Sequence, residues 1–287
     1  SGTQGNLVSL MSLSQPGEEM IADELAHLLH YEGGGCVRVA GLYPRTVPCR
    51  RGCPEPEDVV AQWSTGSTTR GRTAVVVMEN THNLAGGLAV EPERMRAVAE
   101  AVWERGGAVH LDGARIFNAS VALGRPVSEF AQWCDTITFC FSKSLGAPAG
   151  SIVCGSSETI QRARAFRRML GGSMRQTGHL AAAALVALDT MVDRLADDHR
   201  HAREIAAVLA RCPGVEVQAE TVQTNMVYFR LVGTSVTPED FVAKMRERGI
   251  ITAPFDRTGR FRFVTHHNIG DEETARVCEA LEEILGG

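Results

Sequence analysis

The chain has 287 residues, 44% hydrophobic and 22% charged, with a formal net charge of -5. That is enough apolar material to bury the core of one large domain plus a smaller one, and a negative balance without a basic run excludes a nucleic-acid surface. No apolar run reaches membrane-spanning length and no signal peptide opens the chain, so the expectation is a soluble cytosolic α/β enzyme with no membrane partner.

In chain order, Leu7, Leu10 and Met11 recur at helical spacing, and Pro16-Gly17 stops that helix. EEMIAD reads as a short strand, CRRGCPEPEDVVAQW as a turn and a short helix, and TAVVVMEN (73–80) as a buried strand. Met95, Val98 and Val102 form a helix stripe closed by Gly106-Gly107. The next strand, Ala108 to Leu111, ends at Asp112, where Gly113 breaks the apolar run. One helix-length segment later Ile137, Phe139 and Phe141 alternate with polar residues before Lys143, and Gly146, Pro148 and Gly150 force an irregular loop. Strand, helix, strand is the crossover of a parallel sheet.

A long helical tract runs from Thr177 towards Arg211, with Leu185, Leu188, Val192, Leu195, Ile205 and Leu209 on one stripe. DRLADDHRHAR within it reads as a surface stretch or a break, and places a domain boundary there: 1–195 as the large domain and 196–287 as the small one. MVYFRLV and FRFVTH are strands of the small domain, TPEDFVAKMRERG is a helix capped by Thr237, and the last helix carries Val277, Leu281, Ile284 and Leu285.

Asp112 and Lys143 each close an apolar strand. Open α/β sheets bind ligands outside the carboxyl ends of their strands, so the two can share one pocket. Singly, Asp112 reads as a turn starter and Lys143 as a solvated loop lysine. Paired, they suit pyridoxal phosphate, whose aldehyde needs a lysine amine and whose ring nitrogen needs a carboxylate to stay protonated. His82, after the strand TAVVVMEN, reads either as a pocket residue or as a loop histidine satisfied by backbone. His266 and His267 read as structural. Arg162, Arg164, Arg167 and Arg168 most simply form a solvated helix face.

The eight cysteines are scattered, several in apolar runs such as FCF and IVCG, and read as reduced core residues. Only Cys49 and Cys53 are close, and CRRGC lacks a second pair or a histidine couple, so no metal is expected. GGSMRQTG lacks the spacing of the dinucleotide fingerprint and follows a helix, which argues against NAD.

The segments HLDGARIFNA, SKSLGAPAGS, MENTHNLAGG, GGSMRQTG and FRFVTHH occur together and in order, and through them the chain resembles the L-threonine aldolases of the aspartate-aminotransferase-like, fold-type I group of pyridoxal-phosphate enzymes. The resemblance implies cleavage of L-threonine or L-allo-threonine to glycine and acetaldehyde in a homo-oligomer with shared active sites. It implies Lys143 as the Schiff-base lysine, Asp112 at the pyridine nitrogen, Arg115 near the cofactor's phenolic oxygen and the substrate carboxylate, and Arg262 as the main carboxylate-binding arginine. His27 would stack on the ring, Gly2 and Thr3 would hold the phosphate at a helix N-terminus, and Arg175 would make a second cofactor-region contact. The β-hydroxyl's base is His27 or a water near it, although stacking alone explains His27 equally well. The family's further histidine aligns near Thr69, and Ser144 stands where many relatives have glycine. The family also has several tens of residues before the SGTQGN motif, so the sequence resembles a fragment. Alternatives are another reaction on the same cofactor, such as β-elimination or transamination, and an inactive fragment that only associates.

Overall fold

Strands that are apolar on both faces need helices on both faces, and the first part of the chain is built that way. The computed structural model describes residues 1–286 apart from 255, 257 and 258. It forms two units, Ser1–Val192 and Asp193–Gly287. The first contains α1 (Gly2–Leu13), β1 (Glu19–Asp23), α2 (His27–His30), α3 (Gly35–Arg38), β2 (Tyr43–Val47), α4 (Pro56–Gln62), β3 (Thr73–Glu79), α5 (Pro92–Trp103), β4 (Ala108–Asp112), α6 (Ile116–Leu123), α7 (Val127–Ala131), β5 (Thr136–Cys140), β6 (Ser151–Gly155), α8 (Ser157–Met169) and α9 (Gly178–Thr190). Its sheet runs β2-β1-β3-β4-β5-β6, parallel throughout except for the antiparallel β5–β6 pair.

Every residue of β1 and β3 is buried. Their side chains divide between two layers as the period of two requires. Ile21, Val76, Met78, Val109 and Leu111 pack with Met95, Val98 and Phe130 on one face. Met20, Ala22, Val75 and Val77 pack with Leu10, Leu28 and Leu42 on the other. Burying a side chain of this size stabilises by roughly 1.5–3 kcal/mol, so the two layers hold the strand register firmly. Edge strand β6 is largely exposed, and with it Cys154, which the sequence placed in the core. An edge strand has one neighbour to cover it, and apolar composition alone does not distinguish edge from centre.

The second unit contains α10 (Leu195–Arg211), β7 (Val215–Val217), β8 (Met226–Leu231), α11 (Pro238–Glu247), β9 (Phe261–Val264) and α12 (Asp271–Leu285). Its antiparallel sheet runs β7-β8-β9, and its core gathers Ile205, Leu209, Phe229, Phe241, Phe261 and Leu281. The tract from 177 to 211 is two helices in two units, with the interruption at the start of DRLADDHRHAR, so its apolar residues form no common stripe. Leu185 and Val186 on α9 are exposed, whereas Asp198, His199 and His201 of the polar stretch are buried. Partners make that burial tolerable: Arg194 forks onto Asp198, and His201 Nε2 lies 2.8 Å from Asp271 Oδ1.

Candidate active site

Because β1, β3, β4 and β5 are parallel, their carboxyl ends share one edge of the sheet. Three of them end on an acid: Asp23 closes β1, Glu79 closes β3 and Asp112 closes β4, with Glu79 and Asp112 in register. β5 ends at Cys140, and the chain returns as β6 with Cys140 opposite Ser151. The intervening loop is pinned by Phe141 N–H to Gly150 O at 3.0 Å, Ala147 N–H to Phe141 O at 3.0 Å and Gly146 N–H to Lys143 O at 2.9 Å. Lys143 is thereby presented beside Asp112.

The N-terminus of α1 completes this pocket of about 200 Å³, whose walls include Ser1, Gly2, Thr3, His27, Asp112 and Lys143. A Cβ on Gly2 would lie 2.9 Å from Cys140 Sγ, so glycine is what lets the first turn come this close to β5. The first amides of a helix have no intrahelical acceptor, and with the helix dipole they favour an anion. A lysine, a carboxylate and a helix N-terminus around one small cavity fit the amine, ring-nitrogen and phosphate requirements of pyridoxal phosphate.

Asp112 is held from behind. Its Oδ1 accepts Ala114 N–H at 3.1 Å and its Oδ2 accepts the Asn6 amide at 2.9 Å. The same Asn6 nitrogen donates to Glu32 Oε1 at 2.8 Å. Glu32 in turn lies 3.4 Å from His27 Nδ1, and the His27 backbone N–H donates to Glu79 Oε2 at 2.8 Å. The hydrogen bond to Glu32 raises the His27 pKa above 6.5; burial opposes the shift, and the charges of Asp112 and Glu79 add to it.

Five of the sequence-derived residues meet here: Gly2, Thr3, His27, Asp112 and Lys143. Arg115 is half-buried at the N-cap of α6, and Arg175 is exposed between α8 and α9; neither is among the pocket's lining residues. Arg262 belongs to the second unit, on β9 opposite Tyr228. Thr69 is exposed, with its backbone N–H donating to Ser67 Oγ at 3.2 Å. His82 is fully buried and turned to β1, with Nε2 3.0 Å from Asp23 Oδ2, while its Nδ1 accepts Ala85 N–H at 3.2 Å. It is satisfied by a side chain as well as by backbone. Sequence reasoning missed Asn6, Glu32 and Cys140. Asn6 lies one helical turn beyond Thr3, and that spacing was the available signal.

The profile of the beta-eliminating lyase family matches residues 1–231. Low-specificity L-threonine aldolase 1 of Arabidopsis thaliana is 38% identical over 290 residues, covering 99% of this chain and 81% of that protein. Low specificity L-threonine aldolase of Escherichia coli strain K12 is 37% identical over 279 residues, covering 97% and 80%. The crystal structure of a putative L-allo-threonine aldolase from Listeria monocytogenes superposes with a TM-score of 0.82 at 20% identity, covering 99% and 80%, which fits the aspartate-aminotransferase-like, fold-type I architecture. The agreement extends across both units and across the segments that build the Lys143 pocket, and the chain belongs to the beta-eliminating lyase family.

Proposed function

We propose that this protein is a pyridoxal-phosphate-dependent carbon–carbon lyase that cleaves L-threonine and L-allo-threonine to glycine and acetaldehyde. The observation that carries the reading is the convergence of Lys143, Asp112, His27 and the start of α1 on one pocket, in a chain whose relatives bear the name threonine aldolase. Lys143 would hold the cofactor's aldehyde, Asp112 its ring nitrogen, and Gly2 and Thr3 its phosphate. Bound there, pyridoxal phosphate supplies an electron sink for the carbanion left at Cα. The protein's own part is orientation and proton transfer. His27, paired with Glu32, takes the β-hydroxyl proton through the ring nitrogen that Glu32 leaves open. Arg115 and, from the family's motif, Arg262 are assigned the substrate carboxylate, and Arg175 the cofactor region.

We also infer a homo-oligomer, since Leu185 and Val186 on α9, together with Met169 and Met174, form exposed apolar surface of the kind that subunit contacts bury. No helix among the described residues is long and apolar enough to cross a membrane. The eight free thiols suit the reducing cytosol. Product analysis tests the reading: incubation with L-threonine yields acetaldehyde and glycine, and Lys143→Ala abolishes both that yield and the borohydride-fixed cofactor label. Formation of 2-oxobutyrate in place of acetaldehyde would replace cleavage with β-elimination.

A further inference from the structure

Asn6 is 1% exposed and makes three polar contacts. Its Nδ2 donates to Asp112 Oδ2 at 2.9 Å and to Glu32 Oε1 at 2.8 Å, and its Oδ1 lies 3.1 Å from His110 Nε2. His110 Nδ1 lies 2.9 Å from Thr136 Oγ1, and His110 and Thr136 are register partners on β4 and β5. His110 is fully buried and precedes Asp112 by two residues, so both project from the same face of β4.

The Asn6 amide sets the order of donors and acceptors in this row. Asn6 faces two carboxylates, so its amide nitrogen must point at them; turned over, its oxygen would oppose both anions. Its oxygen then faces His110, which must donate from Nε2. A neutral imidazole carries one proton, so Nδ1 accepts, and the Thr136 hydroxyl is its donor. Burial pushes the His110 pKa down to about 4, which keeps the ring uncharged through the neutral range, and the Asn6 oxygen then selects the Nε2-protonated tautomer.

We infer that Asn6 is a positioning residue that holds the Asp112 and Glu32 carboxylates with its two amide N–H groups, and that His110 locks the amide in the orientation this requires. The inference rests on the proposed cofactor reading. One side chain sets the carboxylate meant for the ring nitrogen and, through Glu32, the histidine meant for the β-hydroxyl. The carboxylates of Asp112 and Glu32 and the His27 imidazole approach within 4.8 Å of one another, and the Asn6 amide is the neutral donor shared by the two like charges.

The test has two arms. In ¹⁵N-histidine NMR of the full chain, the resonance lost in His110→Gln is expected to show Nε2 protonated and Nδ1 bare, unchanged from neutral to mildly alkaline pH. An Nδ1-protonated or titrating ring would overturn the hydrogen-bond order. In the second arm, pyridoxal phosphate is titrated into cofactor-free wild type, Asn6→Ala and Asn6→Asp, following both affinity and the pH dependence of the bound absorbance. Groups that orient ligands typically carry about 10–100-fold in affinity, so Asn6→Ala should weaken binding at least about tenfold, and Asn6→Asp, which adds a third carboxylate, should weaken it further. The loss should come with an altered absorbance profile that a merely loosened fold would not produce. Wild-type affinity and profile in both variants would overturn the inference. Failure of wild type itself to bind would instead defeat the cofactor reading, and the NMR arm distinguishes the two.

Discussion

Gly5 is the point where α1 rests on β5, and adding a methyl group there tests whether that contact sets the helix position. A Cβ at Gly5 would sit 2.5 Å from Thr138 Cγ2 and 3.2 Å from Thr138 Oγ1. Ordinary carbon contacts are about 3.5–4.0 Å, so the helix must lift by roughly 1 Å or Thr138 must leave its rotamer. Overpacking costs about 1–3 kcal/mol, and a 2.5 Å approach to a buried side chain belongs to the upper part, about 2–3 kcal/mol, against a gain of roughly 1 kcal/mol from replacing glycine by alanine within a helix. The net expectation is a loss of about 1–2 kcal/mol, or about 2–6 °C in Tm for a chain of this size. Thr138→Ser removes only Cγ2 and, alone, leaves a methyl-sized void costing about 1 kcal/mol. In the double variant the new methyl fills that void, so the two losses should largely cancel, with a coupling of about 2 kcal/mol. Thermal unfolding of the four proteins, with and without pyridoxal phosphate, measures it. Gly5→Ala alone should also weaken the cofactor, since Gly2, Thr3 and Asn6 ride on the displaced helix. A single variant as stable as wild type, or strictly additive losses in the double, would refute the packing argument.

Asp112→Asn should retain the bound cofactor yet lower threonine cleavage by roughly 10²–10³-fold, the scale on which an electrostatic group aimed at developing charge contributes; steady-state rates at saturating cofactor check it. Glu32 raises the His27 pKa, and His27 acts as a base only when deprotonated, so the acidic limb of the rate profile should lie above 6.5 and move to lower pH in Glu32→Gln. The same pair should favour the folded state below about pH 6.5, an advantage lost as pH rises through the raised value. His110 has the opposite sign: its folded pKa of about 4 lies below its ordinary 6.5, so stability should fall as pH drops between those values, by up to about 3 kcal/mol. Denaturant midpoints across that window should show a shallower decline in His110→Gln.

The parallel layer of the fold was legible because apolar runs ending in Asp112 and before Lys143 are what a covered strand and its carboxyl-end loop look like in sequence. Gly2, Thr3 and His27 came to the site through family motifs alone, since neither periodicity nor a strand end marks them. What the sequence hid was lateral. Asn6, Glu32 and His110 are far apart in the chain, and only the register of β4 against β5, with α1 laid over them, makes one hydrogen-bonded row of them. Arg115 shows how little spacing says of local backbone: DGAR puts it three residues beyond Asp112, and the turn into α6 makes it that helix's N-cap. Between α9 and α10 the leucine spacing runs on across the break, and it was the polar run DRLADDHRHAR that marked it.

The walls of the Lys143 pocket are all drawn from residues 1–143, and the first unit is complete at Val192. At a synthesis rate of about 5–20 residues per second, the ribosome needs several further seconds to deliver the second unit. The timing gives the amino-terminal unit an opportunity to form its own binding chamber while the rest of the polypeptide is still being made.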